Sequence, residues 1–363
     1  MNIKVPDFLT IDNNPVTGLR VLNSLENKYI KSDILKSNLI LDILKNCADW
    51  IDEQRLFDEM SKSFDLEKEY FENLLNKMIE NGLLVSNEYK RYKDIESNST
   101  HWIKYNWNDA LKFHIHTNNL HKNDYSSKQG YIDDLEAMKS KMKEDKNPSN
   151  YKEYDFIQDI SLNNEQKANH KNLDNTFRDF VGIDKYKSEI SFSDFSKLLY
   201  LSFGQTGIKT DPVTGEHIAK TSPSGGARHP LETYVFIENI TGLERGIYHY
   251  SIKNHSLKLL KQGEFLSTIK KDIICGNEKC KFNIKACFIH SLIFERSMHR
   301  YREPRSYRAV NYDIGHIMQS TALTCSYLNI NSYRGYSMNE RVIENLIGLD
   351  GIYESACTFT IIG

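Results

Sequence analysis

The sequence predicts a globular protein of mixed helices and strands, divided into two or three folding units. The chain has 363 residues, 39% of them hydrophobic, which is too long for one small core and too apolar for a disordered chain. Residues 1–90 and 176–363 carry helix and strand patterns, whereas residues 126–175 hold many charges and few large apolar side chains. We therefore expect structured regions joined by a largely solvated connector.

The charge balance, the N-terminal residues and the lengths of the apolar runs argue against nucleic-acid binding, secretion and membrane insertion. With 47 basic and 49 acidic residues, the formal charge of −2 provides no overall field that would attract nucleic acid or an anionic membrane. The first residues, MNIKVPDFLTIDNN, do not form a signal peptide, and no apolar run approaches the roughly 20 residues of a membrane span. We expect a cytoplasmic protein that binds neither nucleic acid nor membrane.

The cysteines and histidines predict no disulfide framework and no metal site. Six cysteines are sparse for a chain of this length without a secretion signal. The spacing of Cys275, Cys280 and Cys287 matches no common zinc pattern, and His114 and His116 lack further ligands nearby.

Residues 1–92 predict a small winged-helix-like unit. An apolar stripe at helical spacing comprises Leu66, Tyr70, Phe71, Leu74, Leu75, Met78 and Ile79. Asn81-Gly82 ends that helix, and Leu83–Val85 resembles the first strand of a wing. Residues 50–81 carry nine acids against four bases, which disfavours DNA recognition. Docking of a peptide or a partner at a sheet edge is physically easier, and a purely structural cap is the alternative.

The rest of the chain divides into a helical and polar connector, residues 93–175, and a chemically richer region, residues 176–363. The connector is predicted to hold a helix near 131–143. In the C-terminal region, the patterns predict helices at 193–203 and 308–328, strands at 232–238, 286–294 and 357–362, a hairpin over 246–260, and a helix with a capping box from Ser337 to Glu340.

The segment Ser222–Pro230, SPSGGARHP, directly precedes the predicted strand. Gly225 and Gly226 allow the backbone to approach a flat or anionic ligand, Ser224 offers a hydroxyl, and Arg228 offers a fixed charge. Such a segment is also typical of an ordinary turn. It matches neither a dinucleotide-binding turn nor a P-loop.

A second segment concentrates five arginines within residues 294–308. They are Arg296, Arg300, Arg302, Arg305 and Arg308. A solvated basic turn would explain them, but the adjoining YDIGHIMQ opens an apolar helix that would carry Asp313, His316 and Gln319 near one face.

Together these segments resemble SagB-type (McbC-like) dehydrogenases of the nitroreductase superfamily. The resemblance is carried by PSGGARHPLETYVFI, GIYHY, the arginine stretch with YDIGHIMQ, GLDGIYE, and upstream Trp107–His114, so it covers roughly residues 100–363. It implies an α+β fold, a nitroreductase-like sheet flanked by helices, and a homodimer with one FMN per subunit at the interface. The positions implied to bind FMN are Thr176, Arg178, Ser224, Gly225, Gly226, Arg228, Gln319, Arg334 and Gly335.

The sequence departs from the family pattern in three places. The leading arginine of R-S-x-R-x-F is absent, and no C-terminal phosphate-binding residue is found, so we expect Arg302, Arg305 or Arg308 to hold the phosphate. Where the family usually has Lys-Tyr, this chain has Arg300-Tyr301. Because arginine stays protonated, we expect Tyr301 to remove the substrate proton and Arg300 to stabilise its anion, with His299 or Glu303 as the fallback base.

Three functions are compatible with this resemblance. In the first, the protein is an FMN-dependent dehydrogenase that oxidises thiazoline or oxazoline rings of a ribosomal peptide, works with a cyclodehydratase, and docks a leader peptide or its partner on residues 1–92. In the second, it is an FMN enzyme linked to NAD(P)H or acting on another bond. In the third, it is a non-catalytic scaffold of a peptide-modifying complex.

Overall fold

The computed structural model describes residues 1–7, 9–14, 18–25, 28–31, 38–118, 126–163, 176, 187–275 and 280–363. The chain forms two compact units, residues 1–123 and 124–363. The division at 92 and 175 stays a prediction, although the helix of the connector belongs to the second unit. None of the helices in the described ranges has both the length and the apolar character that a membrane span needs.

The first unit combines two small sheets with five helices in its described part. Its elements are β1 (Asn2–Lys4), β2 (Leu9–Asn14), β3 (Gly18–Asn23), β4 (Lys28–Lys31), α1 (Asn38–Asn46), β5 (Ile51–Asp52), α2 (Glu53–Met60), α3 (Lys68–Glu80), β6 (Val85–Ser86), α4 (Lys90–Lys104) and α5 (Asn108–Asn118). The strands pair in the orders β2-β3-β4 and β5-β1-β6.

The apolar stripe predicted over residues 66–79 is found on α3. Phe71, Leu75 and Met78 are buried, whereas Tyr70 is exposed. The winged-helix prediction is not confirmed. The strand after this helix, β6, pairs with β1 rather than with a following strand, and α4 begins four residues later.

The second unit is built on a seven-stranded antiparallel sheet. Its elements are α6 (Lys128–Glu144), β7 (Gln158–Ser161), α7 (Phe192–Phe203), β8 (Gln205–Asp211), β9 (Gly215–Lys220), a 3₁₀ turn (Gly225–Ala227), β10 (Leu231–Ile237), β11 (Gly246–Ser251), β12 (Ser256–Gln262), α8 (Leu266–Thr268), a π turn (Ile269–Ile273), β13 (Ala286–Ile293), α9 (Glu295–Met298), α10 (Ser306–Leu328), β14 (Ser332–Gly335), α11 (Glu340–Ile347) and β15 (Glu354–Ile362). The sheet order is β14-β15-β13-β10-β11-β12-β7, and β8 and β9 form a separate hairpin.

The sheet lies between two apolar layers, which explains why β10 and β13 are buried along their whole length. Val235 and Ile237 join the core formed with α7 and α10, while Tyr234 and Phe236 join the core formed with α11 and the π turn. This alternation follows from the two-residue period of a strand. The architecture confirms the predicted α+β fold.

One predicted local feature was wrong. Helix α11 begins at Glu340 with Asn339 as its N-cap residue, and no side chain caps it. The Asn339 backbone N–H instead donates to the Asp272 carbonyl at 2.7 Å, so a long-range contact replaces the capping box expected from Ser337. All six cysteines are free thiols.

Candidate functional site

The carboxylate of Asp313 fixes the glycine turn that precedes β10. Asp313 lies on α10 and is buried. Its Oδ2 accepts a hydrogen bond from Ser224 Oγ at 2.6 Å, and its Oδ1 accepts one from the Gly225 N–H at 3.0 Å. Ser224 Oγ in turn accepts the His229 N–H at 2.9 Å. The two segments singled out in the sequence therefore meet, and one buried acid holds the turn in a single conformation.

The glycine turn presents bare backbone next to a tyrosine hydroxyl. Gly225 and Gly226 are exposed, and Gly226 has φ +62°, a conformation that disfavours other residues. A Cβ added at Gly226 would lie 2.0 Å from Tyr301 Oη. The structure thus brings Tyr301 directly against the turn, as the predicted site requires.

Substituting Ala for Gly226 is expected to lower the free energy of unfolding by about 1–3 kcal/mol, because the new methyl group adds backbone strain and displaces Tyr301. Urea unfolding of the purified protein measures the change. Gly207→Ala is the matched control, since a Cβ there meets nothing within 4 Å, and its effect should stay within about 0.5 kcal/mol. Equal losses at the two positions would contradict the role assigned to the tyrosine contact.

Arg228 is held against the turn rather than extended away from it. Its Nε donates to the Gly226 carbonyl at 2.9 Å, and its Nη2 lies 2.5 Å from His217 Nδ1. Burial and the neighbouring Arg228 charge lower the pKa of His217, which keeps that imidazole neutral and able to accept the hydrogen bond. Binding of FMN by Arg228 stays a prediction.

A buried ion pair anchors the end of the same turn. Arg296 Nη2 lies 2.6 Å from Glu232 Oε1, and His249 Nε2 lies 2.7 Å from Glu232 Oε2. Arg296 Nη1 also donates to the His229 carbonyl at 3.2 Å. Burial by itself would raise the pKa of Glu232, but Arg296 and His249 outweigh it and hold that pKa below its usual value. Arg296 is therefore a structural residue and not part of a solvated basic turn.

The arginines beside Tyr301 also have partners. The Arg300 guanidinium lies 5.1 Å from the centre of the Tyr301 ring, and its Nη2 lies 3.3 Å from Asp134 Oδ2. Arg302 Nη1 and Nη2 lie 2.7 and 2.5 Å from Glu144 and Asp145 carboxylate oxygens. A phosphate would have to displace two acids from Arg302. Arg305 and Arg308 are half-buried and also have interaction partners, so the choice of phosphate ligand among the three arginines stays a prediction.

The two fallback bases differ in their surroundings. His299 is buried, and its Nε2 lies 3.1 Å from the Asp145 carbonyl, while its Nδ1 has no hydrogen-bond partner in the described part of the chain. Glu303 is exposed.

The remaining predicted cofactor residues lie in three places. Thr176 is buried, its carbonyl accepts the Ser326 hydroxyl at 2.6 Å, and Arg178 lies outside the described residues. Gln319 is exposed on α10. His316, predicted near the same face as Asp313, is also exposed, with its Nδ1 3.7 Å from Asp313 Oδ1.

The last predicted pair, Arg334 and Gly335, lies on β14 at the edge of the sheet. Both residues are half-buried, and Arg334 Nη1 donates to Ser332 Oγ at 2.9 Å. A Cβ at Gly335 would lie 2.5 Å from the Phe359 ring, so packing against β15 explains this glycine. Binding of FMN by Arg334 and Gly335 stays a prediction.

Lys220 is a residue of this region that the sequence reasoning missed. It ends β9, two residues before the Ser222–Pro230 segment, and is half-buried. Burial lowers the pKa of Lys220 to about 8. The negative charge of Glu232 raises this pKa in part, and the positive charge of Arg296 lowers it further. A lysine in a short strand carries no signal in the sequence that would reveal such surroundings.

In the described ranges, no three His, Cys, Asp or Glu residues are placed to hold a metal ion.

The glycine turn, Tyr301 and Asp313 lie in the part of the chain that is similar to known proteins. Residues 190–363 match the model of the nitroreductase family. The trifolitoxin-processing protein TfxB of Rhizobium leguminosarum bv. trifolii is 38% identical over 176 residues, which are 47% of this chain and 46% of that protein. A second relative is MJ1384 of Methanocaldococcus jannaschii, which is described as a nitroreductase. It is 28% identical over 151 residues, which are 39% of this chain and 67% of that protein.

Among solved structures, the Escherichia coli microcin synthetase McbBCD complex with truncated pro-MccB17 contains a chain with a TM-score of 0.41 and 15% identity. The match covers 64% of this chain and 93% of that one. The chain thus spans less than half of the trifolitoxin-processing protein, but the family match covers β10, the glycine turn, Tyr301 and Asp313. Residues 190–363, which are just under half of this chain, are similar to the nitroreductase family.

Proposed function

We propose that this protein is an FMN-dependent dehydrogenase that oxidises thiazoline or oxazoline rings of a ribosomal peptide to azoles. The observation that supports it most is the open glycine turn, fixed by Asp313 and bordered by the Tyr301 hydroxyl, inside the region that is similar to the nitroreductase family. Members of that family typically bind flavin.

The residues present fit a flat ring system. Gly225 and Gly226 offer exposed backbone without side chains, and Ser224 is fixed beneath them. We assign these three residues to the ring and Arg228 to the ring or the chain attached to it. When bound, FMN would supply the two-electron acceptor for the oxidation.

The chain's own contribution is binding and proton removal. In this proposal Tyr301 acts as a phenolate, and its oxygen accepts the proton from the substrate ring to give the neutral phenol. Arg300, whose guanidinium lies 5.1 Å from the Tyr301 ring centre, stabilises the negative charge that the phenolate carries before the transfer. Asp134 holds Arg300 from the opposite side at 3.3 Å, which keeps the guanidinium in place.

A peptide substrate is supported by the relative whose name assigns it to trifolitoxin processing. We extend the proposal to a leader-bearing peptide, a cyclodehydratase partner, docking of one of them on residues 1–92, a homodimer, and a cytoplasmic location.

The proposal is tested by replacing Tyr301 with Phe. We expect FMN to bind as in the unaltered protein and azole formation to fall by about 10²–10⁴-fold, because the base is lost while the glycine turn is intact. Mass spectrometry of an azoline peptide follows the loss of two hydrogens. Tyr307→Phe, which changes an exposed tyrosine on the same arginine-rich segment, serves as the control. Full turnover by the Tyr301 variant would refute the assignment.

A second candidate is an FMN reductase supplied by NAD(P)H, which the similarity to the archaeal nitroreductase favours. FMN-loaded protein that loses its yellow colour on addition of NADPH alone, and forms no azole, would select this candidate.

A further inference from the structure

The amine of Lys220 is an unpaired cation beside the glycine turn. Lys220 is half-buried at the end of β9. Among the described residues, none forms a hydrogen bond or ion pair with its amine, whereas other half-buried or buried lysines, such as Lys152 and Lys258, pair with carboxylates. An ammonium that is partly removed from water and has no partner among the described residues is available to bind a ligand.

The carboxylates near Lys220 are already committed to other groups. Both oxygens of Glu232 are occupied, one by Arg296 and one by His249. Both oxygens of Asp313 are occupied by the Ser224 hydroxyl and the Gly225 N–H. Neither acid is free to pair with the amine.

The other groups that face Lys220 are cationic or neutral. Arg296 approaches it from α9, and its positive charge opposes that of the amine. His229, from the glycine turn, and His290, from β13, each have a pKa lowered to about 3, first by burial and then by Lys220. Both imidazoles are therefore uncharged at neutral pH.

We propose that Lys220 is an additional ligand-binding residue of this site, and that its amine donates to the electron-rich, carbonyl-bearing edge of the flavin ring seated on Gly225 and Gly226. This inference rests on the proposed function. The ring is favoured over the phosphate because β9, which Lys220 ends, packs against the glycine turn, whereas the phosphate is expected at the arginines of residues 294–308.

A charge-assisted hydrogen bond from Lys220 requires its proton, and the unliganded amine has a pKa of about 8. Flavin affinity should therefore decrease as the pH rises from 7 to 9.5. An arginine at this position would keep its charge over that range, and a methionine would carry none.

The test is fluorescence titration of the full chain, freed of flavin, with FMN and with riboflavin, at pH 7 and pH 9.5. Lys220→Met should bind both flavins about tenfold more weakly at pH 7 and show no further loss at pH 9.5. Lys220→Arg should bind both about as tightly as the unaltered protein at pH 7 and retain that affinity at pH 9.5. The unaltered protein should lose about tenfold between the two pH values.

Three results would overturn the inference. Weaker binding of FMN but not riboflavin by Lys220→Met would place the amine at the phosphate. Unchanged affinity in Lys220→Met, with its far-UV circular dichroism unaltered, would remove Lys220 from the site. Absence of any flavin binding by the unaltered protein would defeat the proposed function itself, which separates that failure from the failure of the Lys220 assignment.

Discussion

Replacing Arg296 with Met is expected to lower the free energy of unfolding by about 3–5 kcal/mol. The substitution leaves Glu232 charged and buried, with His249 and the more weakly acting Lys220 to compensate it. It also removes the hydrogen bonds from Arg296 to the carbonyls of His229 and Ser149, at 3.2 and 2.9 Å. Removing one partner of a buried pair costs far more than the pair contributes in total, because the remaining charge has been taken out of water.

Urea unfolding followed by far-UV circular dichroism measures this change, with Arg302→Met as the matched control. Arg302 also pairs with carboxylates, but its side chain and those of its partners are 35%, 57% and 60% exposed. Its loss should cost no more than about 1 kcal/mol. The double variant Glu232→Gln with Arg296→Met should recover part of the stability, since no buried charge is then left alone. Similar losses for Arg296→Met and Arg302→Met would contradict the buried-pair explanation.

Replacing Lys220 with Met is expected to raise the free energy of unfolding at pH 7 by up to about 3 kcal/mol, the equivalent of a pKa lowered from 10.5 to about 8. The folded protein releases the Lys220 proton near pH 8, whereas the unfolded chain keeps it until about pH 10.5. Between these values the unfolded state binds more protons, so the stability of the unaltered protein rises with pH. The methionine variant should lack this rise, and its advantage should shrink as the pH approaches 10.5.

Urea unfolding at pH 7 and at pH 10 measures both effects. Lys209→Met, on the neighbouring strand β8 and exposed, should change stability by less than about 0.5 kcal/mol at either pH. A methionine variant that is less stable than the unaltered protein at pH 7 would contradict the view that the Lys220 ammonium is unfavourable in the folded state. A gain in stability together with weaker flavin binding would identify Lys220 as a residue kept for function rather than for folding.

Much of the fold is readable in the sequence because the patterns are local. The runs that form β10 and β13 are apolar on both faces, as expected for strands between two layers, and α10 shows the periodicity of a helix packed on one side. The wing predicted after α3 was not found, because the pairing of β6 with β1 joins residues more than 80 positions apart. Local patterns do not encode such a choice of partner.

In the candidate site, too, local sequence patterns identify segments but not the contacts between them. Residues 222–230 and 312–319 were singled out from their composition, and the structure joins them through Asp313. The arginines, however, look alike in the sequence. Only the fold shows that Arg296 is buried against Glu232 and that Arg302 is occupied by two acids.

The sequence by itself predicted the main helices and strands of residues 176–363 and the segments that carry the glycine turn and Tyr301, because each of these patterns depends on neighbours a few positions away. Only the tertiary structure decided which charges are paired and which single amine is left without a partner among the described residues near that turn. Burial and charge pairing arise between segments far apart in the chain, and they set the energies from which the proposed chemistry follows.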